Sequence, residues 1–302
     1  MNYPSSIHIN DDIMSTIAAM LRQEETYQKS DYLYQQYEPE HHHHSNLPLS
    51  INANCRHQMA TWCYQVIDFC KFDREIVEIA MSCLDRFMTT PAAATAKADP
   101  KEFQLTTMTC LYTAIKVHAP ASLSLKLVSD LSRGVYSESQ IQAKEAEILT
   151  ALRWRVNPPT ALAFVRKLLR LIPKDILDQD TATSVYGVAK FQIELSIGDY
   201  SLITVKPSTI AYSSLMNALQ SFCQDAESFQ QIALTASQIC NIDSSDSFVI
   251  QLQNSLLHAA AKEDPSARVA IVRNTTSNPL QTAGVSRKRS FAASPRSARV
   301  TP

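Results

Sequence analysis

Four charged residues stand within the apolar faces of helical patterns: Arg56, six residues before Trp62; Asp85, within the largely apolar run Met81 to Met88; Lys116; and Glu145. A charge on an apolar helix face needs a partner, because leaving water uncompensated is costly. Arg56 and Asp85 read as a structural ion pair made across a helical bundle, a long-range contact that fixes packing. For Lys116 and Glu145 the residues leave two readings open, solvated surface charges or a pair that meets a partner protein. The run His41 to His44 could bind a metal ion. Flanked by Glu40 and Ser45, it reads instead as a solvated loop tract, since metal ligands must converge from an ordered frame. Patterns for catalysis are missing: there is no Gly-rich phosphate loop, no His-Glu-x-x-His, no Gly-x-Ser-x-Gly and no Asp-rich metal loop. The expectation is a protein that works by binding, with no catalytic residue, cofactor or metal.

Composition bounds the scaffold that must position these residues. The 302 residues exceed one ordinary domain, so two domains plus some unstructured sequence are expected. Hydrophobic residues at 45% and charged residues at 19% suit a folded protein and exclude a wholly disordered one. Only 4 Gly occur, none after Asn or Asp, so the tight turns of antiparallel hairpins are not signalled and helices are favoured. Seven Cys lie scattered without a Cys-x-x-Cys pair, which argues against a disulfide framework and a zinc site. Cys55, Cys63 and Cys70 recur at about two helical turns and read as small core residues. No apolar run reaches the ~18 residues of a membrane span, and the start has no basic, apolar leader pattern, so a soluble protein of a reducing compartment is expected. Net charge is -1, which gives no whole-molecule attraction to nucleic acid, although residues 1–50 are acidic and the last 35 or so are basic.

Apolar residues at three- and four-residue steps predict five helices between 54 and 152. The first opens at about Asn54 as N-cap and carries Met59, Trp62, Cys63, Val66, Ile67 and Cys70. The second carries Ile76, Val77, Ala80, Met81, Leu84 and Phe87. The alanine-rich stretch between Pro91 and Pro100 reads as a loop. A third spans about Lys101 to Val117, a fourth Ala121 to Leu131 with Gly134 as its C-terminal cap, and a fifth starts at Ser137. Asn157-Pro158-Pro159-Thr160 blocks further helix and reads as a linker. Five more helical patterns follow at about 160–171, 179–197, 206–221, 227–237 and 245–261. The expected domains are an N-terminal segment over 1–53 with a short helix near 11–25, a bundle over 54–155, a second over 156–262, and a disordered basic Ser/Thr/Pro tail over 263–302.

At the four charged residues the chain resembles the cyclins. Arg56-His-Gln-Met-Ala-Thr-Trp62 is similar to the first helix of the family's box, and Ala80-Met-Ser-Cys-Leu-Asp-Arg-Phe87 to the second. Ala114-Ile-Lys116 resembles the Ala-x-Lys element of the third, with Leu105 at the family's spacing before it. Glu145-x-x-Ile148-Leu149-x-x-Leu152-x-Trp154, then Val156-Asn-Pro-Pro-Thr160, resembles the fifth helix and linker. Over 160–260 the likeness is looser, with Pro207-Ser-Thr-Ile-Ala211 the best match. The first box, with Leu21-Arg-Gln-Glu-Glu25-x-Tyr27 and Asp31-Tyr-Leu33 before it, looks most like the D-type members, but their Leu-x-Cys-x-Glu motif is missing from the N-terminus.

The resemblance implies an all-α protein of two tandem five-helix boxes that binds and activates a cyclin-dependent Ser/Thr kinase in G1-type cell-cycle control, in nucleus and cytoplasm, without nucleic acid or membrane. It makes Lys116 and Glu145 the kinase contacts, Arg56 and Asp85 the structural pair, and Leu105 a core hallmark. It places a substrate-docking patch at Cys55, Gln58, Met59, Trp62, Gln65 and Gln104. Gln58 stands where an aliphatic side chain is usual and should weaken docking of Arg-x-Leu peptides; the other reading of Trp62 is partly exposed core. In the tail, Arg287-Lys288-Arg289 resembles a nuclear-import patch, and Ser294-Pro295 and Thr301-Pro302 proline-directed phosphorylation sites. The rivals are a transcriptional cyclin, and a scaffold or a transcription-factor module like the general initiation factors built on paired five-helix repeats. A DNA-binding module would need a basic face, which residues 54–260 lack.

Overall fold

Helix ends in this chain fall where a side chain or a proline can finish them. The computed structural model describes residues 5–33, 51–119, 123–223 and 225–263, and among these every regular element is helical. The tail sites Arg287, Lys288, Arg289, Ser294 and Thr301 and the tract His41 to His44 lie outside the described residues.

Two helical units result. The first comprises Gln23–Thr160 and Ile197–Val205; the second takes the described residues of Met1–Arg22, Ala161–Ser196 and Lys206–Pro302. α1 (Ser5–Glu24) is longer than the short helix expected near 11–25. The sequence offers no breaker until Pro4, and Ile13 and Ile17, one turn apart, are fully buried.

In the first unit α2 (Ala53–Cys70) begins one cap earlier than expected. Asn52, not Asn54, adopts the extended conformation, and its side chain accepts from the Cys55 N–H. The left-handed Lys71 ends the helix. α3 (Glu75–Met88) is buried along almost its whole length, from Ile76 to Met88 with Glu78 the half-exposed exception. The stretch expected to be a loop forms a 3-10 turn over Pro91–Ala93 and the short α4 (Ala94–Ala98). Its proline opens a turn instead of breaking one, because the first turn of a helix has no use for the missing N–H. Pro100 does the same for α5 (Pro100–His118). α6 (Leu125–Leu131) is capped by Ser124, so the described helix begins after the expected Ala121, and Gly134 takes φ 73 while its N–H returns to the Ser129 carbonyl at 3.1 Å. α7 (Glu138–Ala151) starts at a full capping box between Ser137 and Gln140. α5 is the centre, packed by α2, α3, α4 and α7.

The second unit contains α8 (Ala161–Leu171), α9 (Gln179–Gly198, whose last two residues group with the first unit), α10 (Pro207–Phe222), α11 (Ala226–Cys240) and α12 (Ser247–Glu263). α10, again opened by a proline, packs against α8, α11 and α12. None of the described helices is long and apolar enough to cross a membrane. The seven cysteines all lie among the described residues, and no disulfide joins them. Burial pushes the Cys63 thiol up to about 12 and that of Cys83 to about 11, and drives Cys110 upward as well.

Candidate functional site: a buried pair and an exposed pair

Arg56 lies on the buried stripe of α2, with Ala60, Cys63 and Ile67 at helical spacing. Asp85 sits on the enclosed α3. Arg56 Nε and one terminal nitrogen reach the two Asp85 oxygens at 2.8 Å each, and the other terminal nitrogen donates to the Ile197 carbonyl at 2.7 Å. All three arms of the guanidinium are engaged. Burial works against its charge, the Asp85 carboxylate works for it, and the balance lifts the Arg56 pKa above its ordinary value. The Tyr32 hydroxyl lies 3.3 Å from Asp85 Oδ1, and burial followed by that negative charge drives its pKa well above the normal phenol range. Edge-on to Tyr32, at 5.3 Å, is Tyr200, whose hydroxyl donates to Asp31 at 2.8 Å and accepts from the Leu33 N–H at 2.9 Å. With side-chain exposures of 4% and 1%, Arg56 and Asp85 meet no solvent. Their geometry serves to hold residues 31–33 and 197–200 against α2 and α3.

Lys116 and Glu145 meet in the opposite environment. Lys116, in the last turn of α5, donates to both Glu145 oxygens at 3.0 Å across to α7. The two side chains are 43% and 12% exposed. The free chain therefore satisfies each charge with the other. The Lys116 ammonium also lies 5.0 Å from the centre of the Tyr112 ring. Thr113 adds a second donor and a third hydrogen bond, its hydroxyl 3.1 Å from Glu145 Oε1. Apolar side chains border the pair in sequence: Val117 is half exposed, and beyond the end of α7 Trp154 is 72% exposed. Arg153 and Trp154 take φ 52 and 60, left-handed values that cost about 1–2 kcal/mol each for residues with a Cβ. The Trp154 backbone N–H closes back to the Leu149 carbonyl at 2.9 Å, which fixes the main chain at the helix end. An exposed indole on a fixed backbone is suited to protein contact.

The docking-patch residues occupy one face of α2 and the start of α5. Gln58 and Gln65 are exposed; Cys55, Met59, Trp62 and Gln104 are half buried, with Met59 and Trp62 packed on the first unit's core. Gln104 Oε1 lies 3.0 Å from the Tyr136 hydroxyl. Two carboxylates of the same elements are already engaged, Asp68 by Arg74 and Glu102 by Lys144, so the face is lined by neutral amides. Leu105 is 3% exposed, a core residue of α5.

Several partners had no mark in the sequence. Arg86, next to Asp85, is buried over the Tyr27 ring at 4.3 Å and donates to the Arg155 carbonyl at 2.7 Å, tying α3 to the segment that follows α7. Burial lowers its pKa. The only available signal was a second charge inside the run 81–88. Tyr32 and Tyr200 were visible as aromatics and nothing more. No group of three or more His, Cys, Asp or Glu side chains among the described residues could hold a metal ion.

Comparison with known proteins follows the same lines. Residues 15–157 match the family model for the cyclin N-terminal domain, and residues 159–287 that for the cyclin C-terminal domain. Cyclin-A1-2 of Oryza sativa subsp. japonica is 22% identical over 168 residues, 56% of this chain and 34% of the rice protein. The G1/S-specific cyclin-D1 of Xenopus laevis is 25% identical over 197 residues, 64% of this chain and 65% of its own length. The chain thus spans about a third of the rice relative. Among solved structures, a viral cyclin from herpesvirus saimiri superposes with a TM-score of 0.56 at 16% identity, covering 71% of this chain and 88% of the viral one. That likeness is one of fold.

Proposed function

The chain belongs to the cyclin family, and on that premise we propose that it is the non-catalytic subunit of a cyclin-dependent Ser/Thr kinase, with Lys116 and Glu145 at the centre of the kinase-binding face. The observation that carries this reading is the Lys116–Glu145 ion pair on two packed helices, with the lysine side chain 43% exposed. Lys116 can turn its ammonium to backbone carbonyls at the end of a partner helix, and Glu145 can accept from backbone N–H groups or a basic side chain. A kinase is inactive until its αC glutamate pairs with the strand lysine, so a rigid helical face that binds the paired arrangement better selects the active state. G1-type control is supported by the likeness to a G1/S-specific relative. The neutral amides at Gln58, Gln65 and Gln104 make the α2 face a weak acceptor for Arg-x-Leu peptides. Arg287-Lys288-Arg289 would serve import to the nucleus.

The test is a pull-down with a panel of purified cyclin-dependent kinases, followed by phosphorylation of histone or pocket protein. Lys116→Ala or Glu145→Ala should weaken binding to the retained kinase by about 2–5 kcal/mol, a factor of ten to several thousand, at an unchanged melting temperature. Full activation by the double variant would end the case for this face.

A further inference from the structure

α5 carries four threonines in the core of the first unit, Thr106, Thr107, Thr109 and Thr113, none more than 3% exposed. Inside a helix a threonine hydroxyl ordinarily answers to the carbonyl four residues back. Thr106, Thr107 and Thr109 do so, donating to Glu102, Phe103 and Leu105 at 2.7, 2.9 and 2.8 Å. Thr113 breaks the pattern. Its hydroxyl leaves α5 and donates to Glu145 Oε1 on α7.

The Glu145 carboxylate therefore has two kinds of donor. One is Lys116, a long side chain with 43% of its surface in water; the other is Thr113, a short, stiff side chain on a buried helix. The carboxylate itself is 12% exposed, so donors of the protein take the place of water around it. If Lys116 turns toward a kinase, the ammonium cannot remain bidentate on Glu145, and only Thr113 stays.

We propose that Thr113 is a positioning residue for the kinase-binding face: its hydroxyl fixes the Glu145 carboxylate in its binding orientation and keeps a donor on it when Lys116 is recruited by the partner. The inference rests on the reading of Lys116 and Glu145 as kinase contacts. A carboxylate held in advance loses less freedom on binding, and that gain appears as slower dissociation.

The experiment uses the full chain and the kinase retained in the panel pull-down, with binding kinetics measured on immobilised kinase. Thr113→Val keeps the shape and removes the hydroxyl; it should bind about fivefold to tenfold more weakly, mainly through faster dissociation. Thr113→Ser restores the donor and should stay within about twofold of the parent. In a Glu145→Ala background Thr113→Val should add no further loss, because the group it positions is gone; a merely structural role would lower binding in both backgrounds alike. Should the valine variant fold poorly, Thr113→Ala carries the same cycle. If Glu145→Ala weakens binding while Thr113→Val does not, or the losses add, the positioning role is wrong and the face survives. If no kinase is retained, or Glu145→Ala binds like the parent, the face is wrong and the role of Thr113 falls with it.

Discussion

The central helices of the two units, α5 and α10, have the same start and different interiors. Both open on a proline and both are almost wholly buried. Around α5 the polar groups are matched up to its last residue, where the buried His118 Nε2 has no partner: three threonines bond their own helix, a fourth bonds Glu145, and the neighbouring α2 and α3 exchange a bidentate ion pair. Around α10 the bonded side chains are neutral amides, and two hydroxyls of the helix itself are unmatched. Asn217 donates to the Gln192 side chain at 2.8 Å and to the Gln253 carbonyl at 3.0 Å, while the buried hydroxyls of Ser213 and Ser214 have no hydrogen-bond partner. The difference teaches where specificity is stored. A buried ion pair adds little net stability over a good apolar core, but it penalises every arrangement that separates the charges. A neutral amide pair penalises them less, and an unbonded hydroxyl not at all.

That ordering can be broken by substitution, read by urea unfolding with a probe in each unit. Asp85→Ala leaves Arg56 charged and unpaired and should destabilise the first unit by about 3–5 kcal/mol; a stable, soluble Asp85→Ala protein would remove the contrast. Asn217→Ala deprives Gln192 and the Gln253 carbonyl of a donor and should cost the second unit about 1–3 kcal/mol. A loss as large as that of Asp85→Ala would show that neutral and charged cores are equally exacting here. Ser213→Ala removes an unbonded hydroxyl and should leave the second unit unchanged or about 1 kcal/mol more stable; clear destabilisation would mean that the hydroxyl has a partner after all.

Patterns confined to one helix were legible in the sequence, and contacts between distant segments were not, the Arg56–Asp85 pair excepted. A charge inside an apolar run announces its burial, which is why Arg56 and Asp85 stood out and why Arg86 could have done so. Tyr32, Tyr200 and the Ile197 carbonyl complete the same network from segments with no periodicity to mark them. The stretch between Pro91 and Pro100 reads as a loop and is partly helical, because the sequence does not say whether a proline such as Pro91 ends one helix or opens the next. Asn-Ala-Asn at 52–54 offered two caps, and only the backbone turn at Asn52 chose between them. Thr113 was indistinguishable from its three neighbours on α5, since the direction of a hydroxyl is set by what lies across the bundle. The all-helical class and the cyclin likeness were plain because they rest on many residues at fixed spacing.

The thiols give the molecule a built-in clock. Cys63, Cys83 and Cys110 come from α2, α3 and α5, three helices that meet in one core, and each is held in its unreactive protonated form by burial. An alkylating reagent can modify them only when that core opens, whereas buried Cys240 on α11 reports on the other unit. Pulsed labelling of the unaltered chain would therefore time the opening of each half separately, without the introduction of any foreign probe.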